Sequence, residues 1–223
     1  RGWSVAYGRR VSEEATADEK SAATADEQDP AWPAILTWRA HDVPRMESAR
    51  VQFTGSRMRA YGRIVAAATA SQPAFSASYD LLTGKNGATR RLTITVTLAE
   101  RERQLSIASD EENMWLAQDH SQTSRSAYGG ALDVDVMMSP FFNALAIRRL
   151  DLYQHAASVS LPVVYVRLPE LTVETATMGY SSSGGGSIKL DSPVAKTTIT
   201  VDSDGFILDY PGLAERINPS EST

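Results

Sequence analysis

The sequence contains no cysteine, which excludes a disulfide framework and any metal site built on thiolates. It has no apolar run of roughly 18 residues, the length that a membrane-spanning helix needs, so no membrane span is predicted. Residues 1–34 contain no apolar core of a secretory signal, and a cytoplasmic location is therefore expected for the chain as it stands.

Positive charge is also scarce. The chain has 22 Lys and Arg residues against 27 Asp and Glu residues, a formal net charge of −5, and no basic cluster is longer than two residues. A protein with this balance is not predicted to bind nucleic acid. Its three histidines, His41, His120 and His155, are scattered without metal-ligand spacing, so neither a metal nor another cofactor is expected.

Motifs for catalysis are missing as well. The glycine-rich stretch at 181–187 lacks the G-x-S-x-G frame of a nucleophilic serine, and the stretch at 83–89 lacks the frame of a phosphate loop. No dinucleotide fingerprint is present. The sequence is therefore interpreted as that of a protein without enzymatic activity.

The composition changes sharply along the chain. Residues 11–30 are rich in Ala, Glu and Asp and have almost no large apolar side chains, so they bury too little surface to offset the entropy of ordering. We expect residues 1–34 to form a flexible acidic extension, although the same composition would tolerate a helix. The predicted folded domain covers 35–219, and 220–223 form a tail.

From about residue 38 the apolar pattern has a period of two. In residues 91–100, "RLTITVTLAE", Leu92, Ile94, Val96 and Leu98 share one face, which is typical of a half-buried strand. The same pattern recurs at 75–82, 103–109, 131–138 and 197–210, with turn-forming residues between the segments. The sequence predicts an all-β domain of about a dozen strands. Helical periodicity is confined to 140–147 and 213–217, so one or two short helices are expected.

An apolar segment at 133–150, "DVDVMMSPFFNALAIRRL", is bracketed by charges of opposite sign. Strand alternation puts Asp133 and Asp135 on one face, about 7 Å apart. They could form a solvated outer face, an ion-pair network with Arg148 or Arg149, a ligand contact, or a catalytic or cation-binding pair. Because adjacent residues of an extended chain point to opposite faces, only one of the two arginines readily reaches the aspartates.

The stretch "GGALDVDVMMSPFFNALAIRRL" resembles the hallmark G-C-V-D-V-D-L-x-x-T-P-F-T-N-T-L-P-I-R-R-L of a bacterial family described as glycolipid-binding proteins. Further similar segments are "LTWRA" with Glu47, the central Trp115, "LPVVYVRLPEL" at 161–171 and "VDSDGFILDYPGLAER" at 201–216. The resemblance covers residues 35–217. The chain departs from the hallmark and the neighbouring pattern at Ala131, Ser139, Phe142, Ala146 and Met178.

This resemblance implies a many-stranded antiparallel, splayed β-barrel or curled sheet, similar to bacterial lipoprotein carriers. The implied function is non-enzymatic binding of a glycolipid or a fatty-acyl ligand in an apolar cavity. Residues 137–146 are then expected to line the cavity, and Asp133 and Asp135 to pair with Arg148 and Arg149. The residues expected to contact the ligand are Trp38, Phe141, Phe142, Asn143, Tyr165 and Tyr180.

Two other functions stay open at this point. A barrel filled with side chains would favour a protein-interaction module. A carbohydrate-active hydrolase would use Asp133 and Asp135 as its carboxyl pair. The sequence carries no signal for an oligomeric state.

Overall fold

The computed structural model describes residues 32–217, which form one curled sheet of fifteen strands with one α-helix. The strands of the first half are β1 (Ala34–Ala40), β2 (Arg45–Thr54), β3 (Arg57–Ala66), β4 (Phe75–Thr83), β5 (Thr89–Thr97), β6 (Glu102–Ser109), β7 (Trp115–Gln118) and β8 (Thr123–Ser126). Those of the second half are β9 (Asp133–Val136), β10 (Ala156–Arg167), β11 (Thr172–Ser183), β12 (Ser187–Asp191), β13 (Lys196–Val201), β14 (Ile207–Tyr210) and β15 (Ala214–Arg216). The helix α1 spans Asn143–Arg149, and a 3-10 turn covers Tyr128–Gly130.

The all-β prediction, with many strands and one or two short helices, is confirmed. Most of the predicted extension, residues 1–31, and the whole tail, 220–223, lie outside the described residues.

The sheet is built from two meanders that meet at the pairing of β1 with β15. All neighbouring strands are antiparallel except β9, which runs parallel to β10. β8 and β9 form the two edges, so the sheet curls without closing into a barrel. The curl brings β9 back near β5, where the backbone N–H of Thr89 donates to the carbonyl of Leu132 at 2.9 Å.

Two local predictions are corrected by this topology. Residues 214–216 were expected in a helical turn but form β15, because the free side of β1 offers backbone partners and pairs Trp38 with Arg216. The predicted strand at 131–138 is shortened to β9, and all four of its residues are buried. A strand parallel to its neighbour and covered on both faces is typically buried in this way.

The interior of the curl is filled by the apolar segment that precedes and includes α1. Phe141, Phe142 and Leu145 belong to an apolar cluster that includes the inner side chains of the first meander, and Ile147 belongs to a second cluster formed with β10–β14. All four side chains are at most 1% exposed. The helix therefore contributes side chains to both clusters and links the two halves of the sheet. None of the helices in residues 32–217 is long and apolar enough to cross a membrane.

A glycine on the inner face of β3 makes room for one aromatic ring of this core. Gly62 pairs with Tyr79 of β4, and a Cβ atom at Gly62 would overlap the Tyr79 ring. A glycine inside a strand often marks such a close approach. It allows the Tyr79 ring to lie across β3 and to reach β2 with its hydroxyl group.

We predict that Gly62→Ala lowers the free energy of unfolding by about 1–3 kcal/mol, because the added methyl displaces the Tyr79 ring in a packed core. Urea unfolding measures the change. Ser78→Ala, on the half-buried outer face of β4, serves as the control and should cost less than about 0.5 kcal/mol. Equal stability of the two variants would contradict the role assigned to Gly62.

Candidate ligand-binding site

The polar centre of the molecule is the carboxyl group of Glu47, on the inner face of β2. Two hydroxyl groups donate to it: that of Ser139, at 2.7 and 2.8 Å from the two carboxyl oxygens, and that of Tyr79, at 2.8 Å. The backbone N–H of Phe141 adds a third donor. These contacts join three elements: β2, β4 and the segment that leads into α1.

Burial raises the pKa of Glu47 to about 7, and this effect outweighs the three hydrogen bonds and the nearby Arg45, which all favour the charged form. Burial likewise raises the pKa of Tyr79 well above its usual value, and the neighbouring Glu47 adds to the shift. The tyrosine hydroxyl therefore keeps its proton and acts as a donor to Glu47.

A second buried carboxyl group, that of Asp135, is less well satisfied. It accepts the backbone N–H of Val136, while its Oδ1 atom has no hydrogen-bond partner. Burial raises the pKa of Asp135 to about 7, and the negative charges of Glu47 and Asp133 add to the shift. The protonated form of Asp135 is thus well populated at neutral pH.

The third carboxyl group, that of Asp133, is held by the end of α1. Arg149 Nη2 donates to Asp133 Oδ2 at 2.6 Å, and Arg149 Nε lies 3.1 Å from both carboxyl oxygens. The side chain of Asp133 is 2% exposed and that of Arg149 is 14% exposed. Burial raises the pKa of Asp133, and the guanidinium group of Arg149 opposes that shift. The pair anchors the C-terminal end of α1 to β9.

The other half of the expected ion-pair network is not formed. Arg148 points away from Asp133 and Asp135 because successive residues of a helix project in different directions. Its Nη1 atom donates to the backbone carbonyl of Asp204 and lies 3.8 Å from that residue's carboxylate. Its guanidinium also stacks over the rings of Phe53 and Phe206, at 4.6 and 4.9 Å from their centroids. The prediction that Asp135 and Arg148 are ion-paired in this network is therefore wrong.

The six residues expected to contact a ligand are buried, and most are parts of the packed interior. The indole N–H of Trp38 donates to the carbonyl of Ile207 at 2.8 Å, and the Phe141 ring lies 5.4 to 6.3 Å from the rings of its aromatic neighbours. Asn143 is 3% exposed and its side-chain oxygen has no partner. None of the six lines the clefts described next; the full set is Trp38, Phe141, Phe142, Asn143, Tyr165 and Tyr180.

A cleft of about 320 Å³ opens where the β2–β3 turn, the β4–β5 loop and the end of α1 meet. Its lining combines apolar, cationic and neutral polar side chains. The apolar ones are Phe53, Met58 and Leu145, the cationic ones Lys85, Arg148 and Arg149, and the polar ones Ser56, Thr83 and Asn86. This mixture suits a molecule with an apolar part and an anionic or hydroxyl-rich part.

The cleft is shaped by a bond between two loops. The hydroxyl group of Ser56, in the β2–β3 turn, donates to the carbonyl of Lys85, in the β4–β5 loop, at 2.6 Å. Lys85 is exposed and forms no ion pair with a described residue. A second cleft of about 640 Å³ shares Thr83, Lys85 and Asn86 with the first, so the two spaces adjoin along the β4–β5 loop.

The sequence analysis did not identify Glu47 as a buried acid at the centre of a hydrogen-bond network. The apolar pattern of β2 nevertheless contains a signal for its burial. In β2 the residues at 47, 49 and 51 share the inner face, and the last two are Ala49 and Val51. A carboxyl group in register with apolar residues predicts a buried acid that needs partners. Its partners Tyr79 and Ser139 lie 32 and 92 residues away in the chain, and only the folded structure identifies them.

The described part of the chain contains no group of three or more His, Cys, Asp or Glu side chains arranged to hold a metal ion. Asp133 is already bound by Arg149, and neither Asp133 nor Asp135 lines one of the clefts described above.

The pKa values near 7 predict a distinct pH dependence of stability. Glu47 and Asp135 bind protons more tightly in the folded state than in the unfolded chain, whose ordinary values are 4.5 and 3.8. Their contribution is therefore full below pH 4 and is lost as the pH rises to about 7, at up to about 1.4 kcal/mol per pH unit for each group. Urea unfolding of Glu47→Gln between pH 5 and 7.5 should show a shallower decline than wild type, and Glu47→Gln/Asp135→Asn a shallower one still. Parallel pH profiles for all three proteins would contradict the assignment.

The buried pair of Asp133 and Arg149 predicts a large cost for removing one partner. We expect Arg149→Met to lower the free energy of unfolding by about 3 kcal/mol at pH 7, because the Asp133 carboxyl group loses its counter-charge. Adding Asp133→Asn should recover part of the loss. The control is Arg39→Met, which breaks an exposed pair with Glu215 and should cost less than about 1 kcal/mol. A cost for Arg149→Met no larger than that of the control would rule out the anchoring role.

Comparisons with known proteins agree with this architecture. The structure is similar to the crystal structure of a protein of the DUF1089 family from Pseudomonas aeruginosa, with a TM-score of 0.64 and 23% sequence identity. That alignment covers 81% of this chain and 95% of the other, and at this identity it establishes the fold alone. A comparison with curated proteins finds no match. A family model described as "Putative glycolipid-binding" matches residues 35–216. Since this match spans most of the sequence, the chain belongs to the family described in those words.

Proposed function

We propose that this protein is a non-enzymatic binding protein for a glycolipid or another amphipathic lipid. We further propose that the head group of the lipid occupies the cleft beside the end of α1, and not the interior of the sheet. The family's description supports the binding of a glycolipid. The observation that carries the second proposal is the lining of the cleft, where three cationic side chains face the same space as three apolar ones.

The chemistry of the cleft favours a head group with an acidic function and hydroxyl groups. Lys85 supplies a positive charge without a described counter-ion, and charge-assisted hydrogen bonds to phosphate or carboxylate oxygens are stronger than neutral ones. The Asn86 amide and the Ser56 hydroxyl group are suited to sugar hydroxyls. The adjoining cleft of about 640 Å³ gives room for a second sugar or for the start of an acyl chain.

The packed interior argues against the acyl chain lying between the two halves of the sheet. Phe141, Phe142 and Leu145 occupy the space that an enclosed lipid would need, and each contacts its neighbours in the core. A bound chain would lie along Phe53, the apolar side chain of the cleft lining that is only partly buried.

Native mass spectrometry of gently purified protein, followed by extraction and lipid analysis, tests this proposal. When probes are added to the protein, we expect a one-to-one adduct with dodecyl phosphate or dodecyl maltoside. Dodecyltrimethylammonium, which has the same chain length and a cationic head group, should form no adduct. Lys85→Glu should weaken the binding of dodecyl phosphate about tenfold. Lys189→Glu, an exposed charge reversal on β12, is the matched control and should bind as wild type does.

A bare polypeptide mass in every case, including after incubation with a total cell lipid extract, would contradict the proposal. Equal weakening by Lys85→Glu and Lys189→Glu would leave lipid binding in place but remove the head group from this cleft.

A protein-interaction module is the second candidate, and the filled interior is the observation that favours it. The edge strand β8 adds to this case, since Thr123, Ser124 and Arg125 are exposed and its outer side has no strand partner in the described sheet. Such an edge can accept a strand from another chain. This candidate is supported if no lipid binds.

A further inference from the structure

The outer face of β1, β2 and β3 carries a concentration of positive charge that the acidic composition of the chain hides. These three strands contain six arginines and a single acidic residue, Glu47, which is buried on the inner face. Five of the arginines are exposed on the outer face. We call this surface the arginine face; its charged members are Arg39, Arg50, Arg57, Arg59 and Arg63.

Three of these arginines, Arg50, Arg57 and Arg63, form no ion pair with a described residue. Arg39 is paired with Glu215 at 2.5 Å, and Arg59 with Asp80 at 3.3 Å. Of the three unpaired arginines, Arg50 and Arg63 lie in the middle of the face, and Arg57 lies at its end beside the β2–β3 turn.

Exposed apolar side chains lie among the arginines. The strand register places Met46 directly opposite both Arg39 and Val65, and Arg50 opposite Tyr61. Val65 is 53% exposed and Met46 is 47% exposed. Together with the exposed Ile35, which faces Arg50 across β1 and β2, they form an apolar surface interleaved with guanidinium groups.

The apolar part of this surface extends into a cleft of about 710 Å³ at the β1–β2 turn. Its lining includes the apolar Val43, Pro44, Met46 and Val65 and the polar or charged Arg39, His41, Asp42 and Arg45. The cleft beside the end of α1 opens at the β2–β3 turn, which is at the opposite ends of the same strands. The arginine face therefore lies between the cleft at the β1–β2 turn and the cleft beside the end of α1.

This combination fits one kind of partner best. Phosphate groups of anionic lipids bind guanidinium groups, and aliphatic side chains beside them insert at the boundary between head groups and acyl chains. The phosphates of a nucleic acid would contact the arginines, but binding would not bury Met46, Val65 and Ile35.

We propose that the arginine face docks on an anionic lipid bilayer, with Arg50 and Arg63 against the head groups and Met46 and Val65 inserted at the interface. The inference concerns the surface on which the protein rests and does not depend on which molecule the α1 cleft holds.

Co-sedimentation of the full chain with vesicles tests the proposal. We expect binding to phosphatidylcholine vesicles that contain phosphatidylglycerol, no binding to phosphatidylcholine alone, and weaker binding as salt is raised. Arg50→Glu/Arg63→Glu should lower the partition coefficient by at least about tenfold, since basic residues near an anionic surface are attracted to it and acidic ones are repelled. Met46→Ser/Val65→Ser should lower it severalfold without changing the charge.

The control for charge is Arg101→Glu/Lys189→Glu, which makes the same change in net charge away from the face and should bind almost as wild type does. A Tm within a few degrees of wild type verifies that each variant is folded. Arg50→Glu/Arg63→Glu should keep wild-type binding of dodecyl phosphate, so failure at the membrane and failure at the cleft can be told apart.

Four results would overturn the inference. The first is that the full chain does not bind anionic vesicles at low salt. In that case the arginine face would bind an acidic partner instead, such as residues 11–30 of this chain. The control variant could lose as much binding as Arg50→Glu/Arg63→Glu. A duplex nucleic acid could bind as tightly as the vesicles and depend on the same arginines. Light scattering could show a dimer that Arg50→Glu/Arg63→Glu dissociates, which would make the face an interface between two copies.

Discussion

The hydrogen bonds to the carboxyl group of Glu47 connect the curled sheet to the segment that fills its interior. Ser139 reaches Glu47 from the turn after β9, and Tyr79 reaches it from β4 across Gly62. Through these contacts the segment that leads into α1 is held against the first meander. A buried carboxyl group without them would be strongly destabilising, so the position of Glu47 requires both partners.

The same segment decides where a ligand can bind. α1 and the two phenylalanines before it fill the curl and contribute side chains to both apolar clusters. The two clefts beside the β4–β5 loop lie instead at the rim, where the turns and loops leave the sheet. The clefts there border both apolar and cationic side chains, which is why the proposed lipid site lies at the edge of the fold.

The two arginines at the end of α1 show how helical geometry divides neighbouring residues between tasks. Arg149 turns inward and neutralises Asp133, while Arg148 turns to Asp204 and covers the rings of Phe53 and Phe206. Both also border the cleft, so the interactions that fix the helix also position charge at the proposed site. Cations in the last turn of a helix are further stabilised by the helix dipole.

Both proposed surfaces are built on β2 and β3. The turn between these strands forms a wall of the α1 cleft, and their outer sides carry the arginine face. A protein that rests on an anionic bilayer through this face would keep the cleft close to the lipid surface. The two proposals are thus compatible, although each stands on its own residues.

The sequence by itself determined that the domain is built mostly of strands with a short helix near residues 140–147. An ion pair between the two ends of the 133–150 segment was one of several alternatives that it left open. Period-two alternation reports which side chains are buried in a strand, and that information is local. It could not tell which arginine meets Asp133, because that depends on whether residues 143–149 are helical or extended. Nor could it show that residues 214–216 pair with β1, that Glu47 meets Tyr79 and Ser139, or that the expected cavity is filled. Those features arise from contacts between residues far apart in the chain, and only the tertiary structure brings them together.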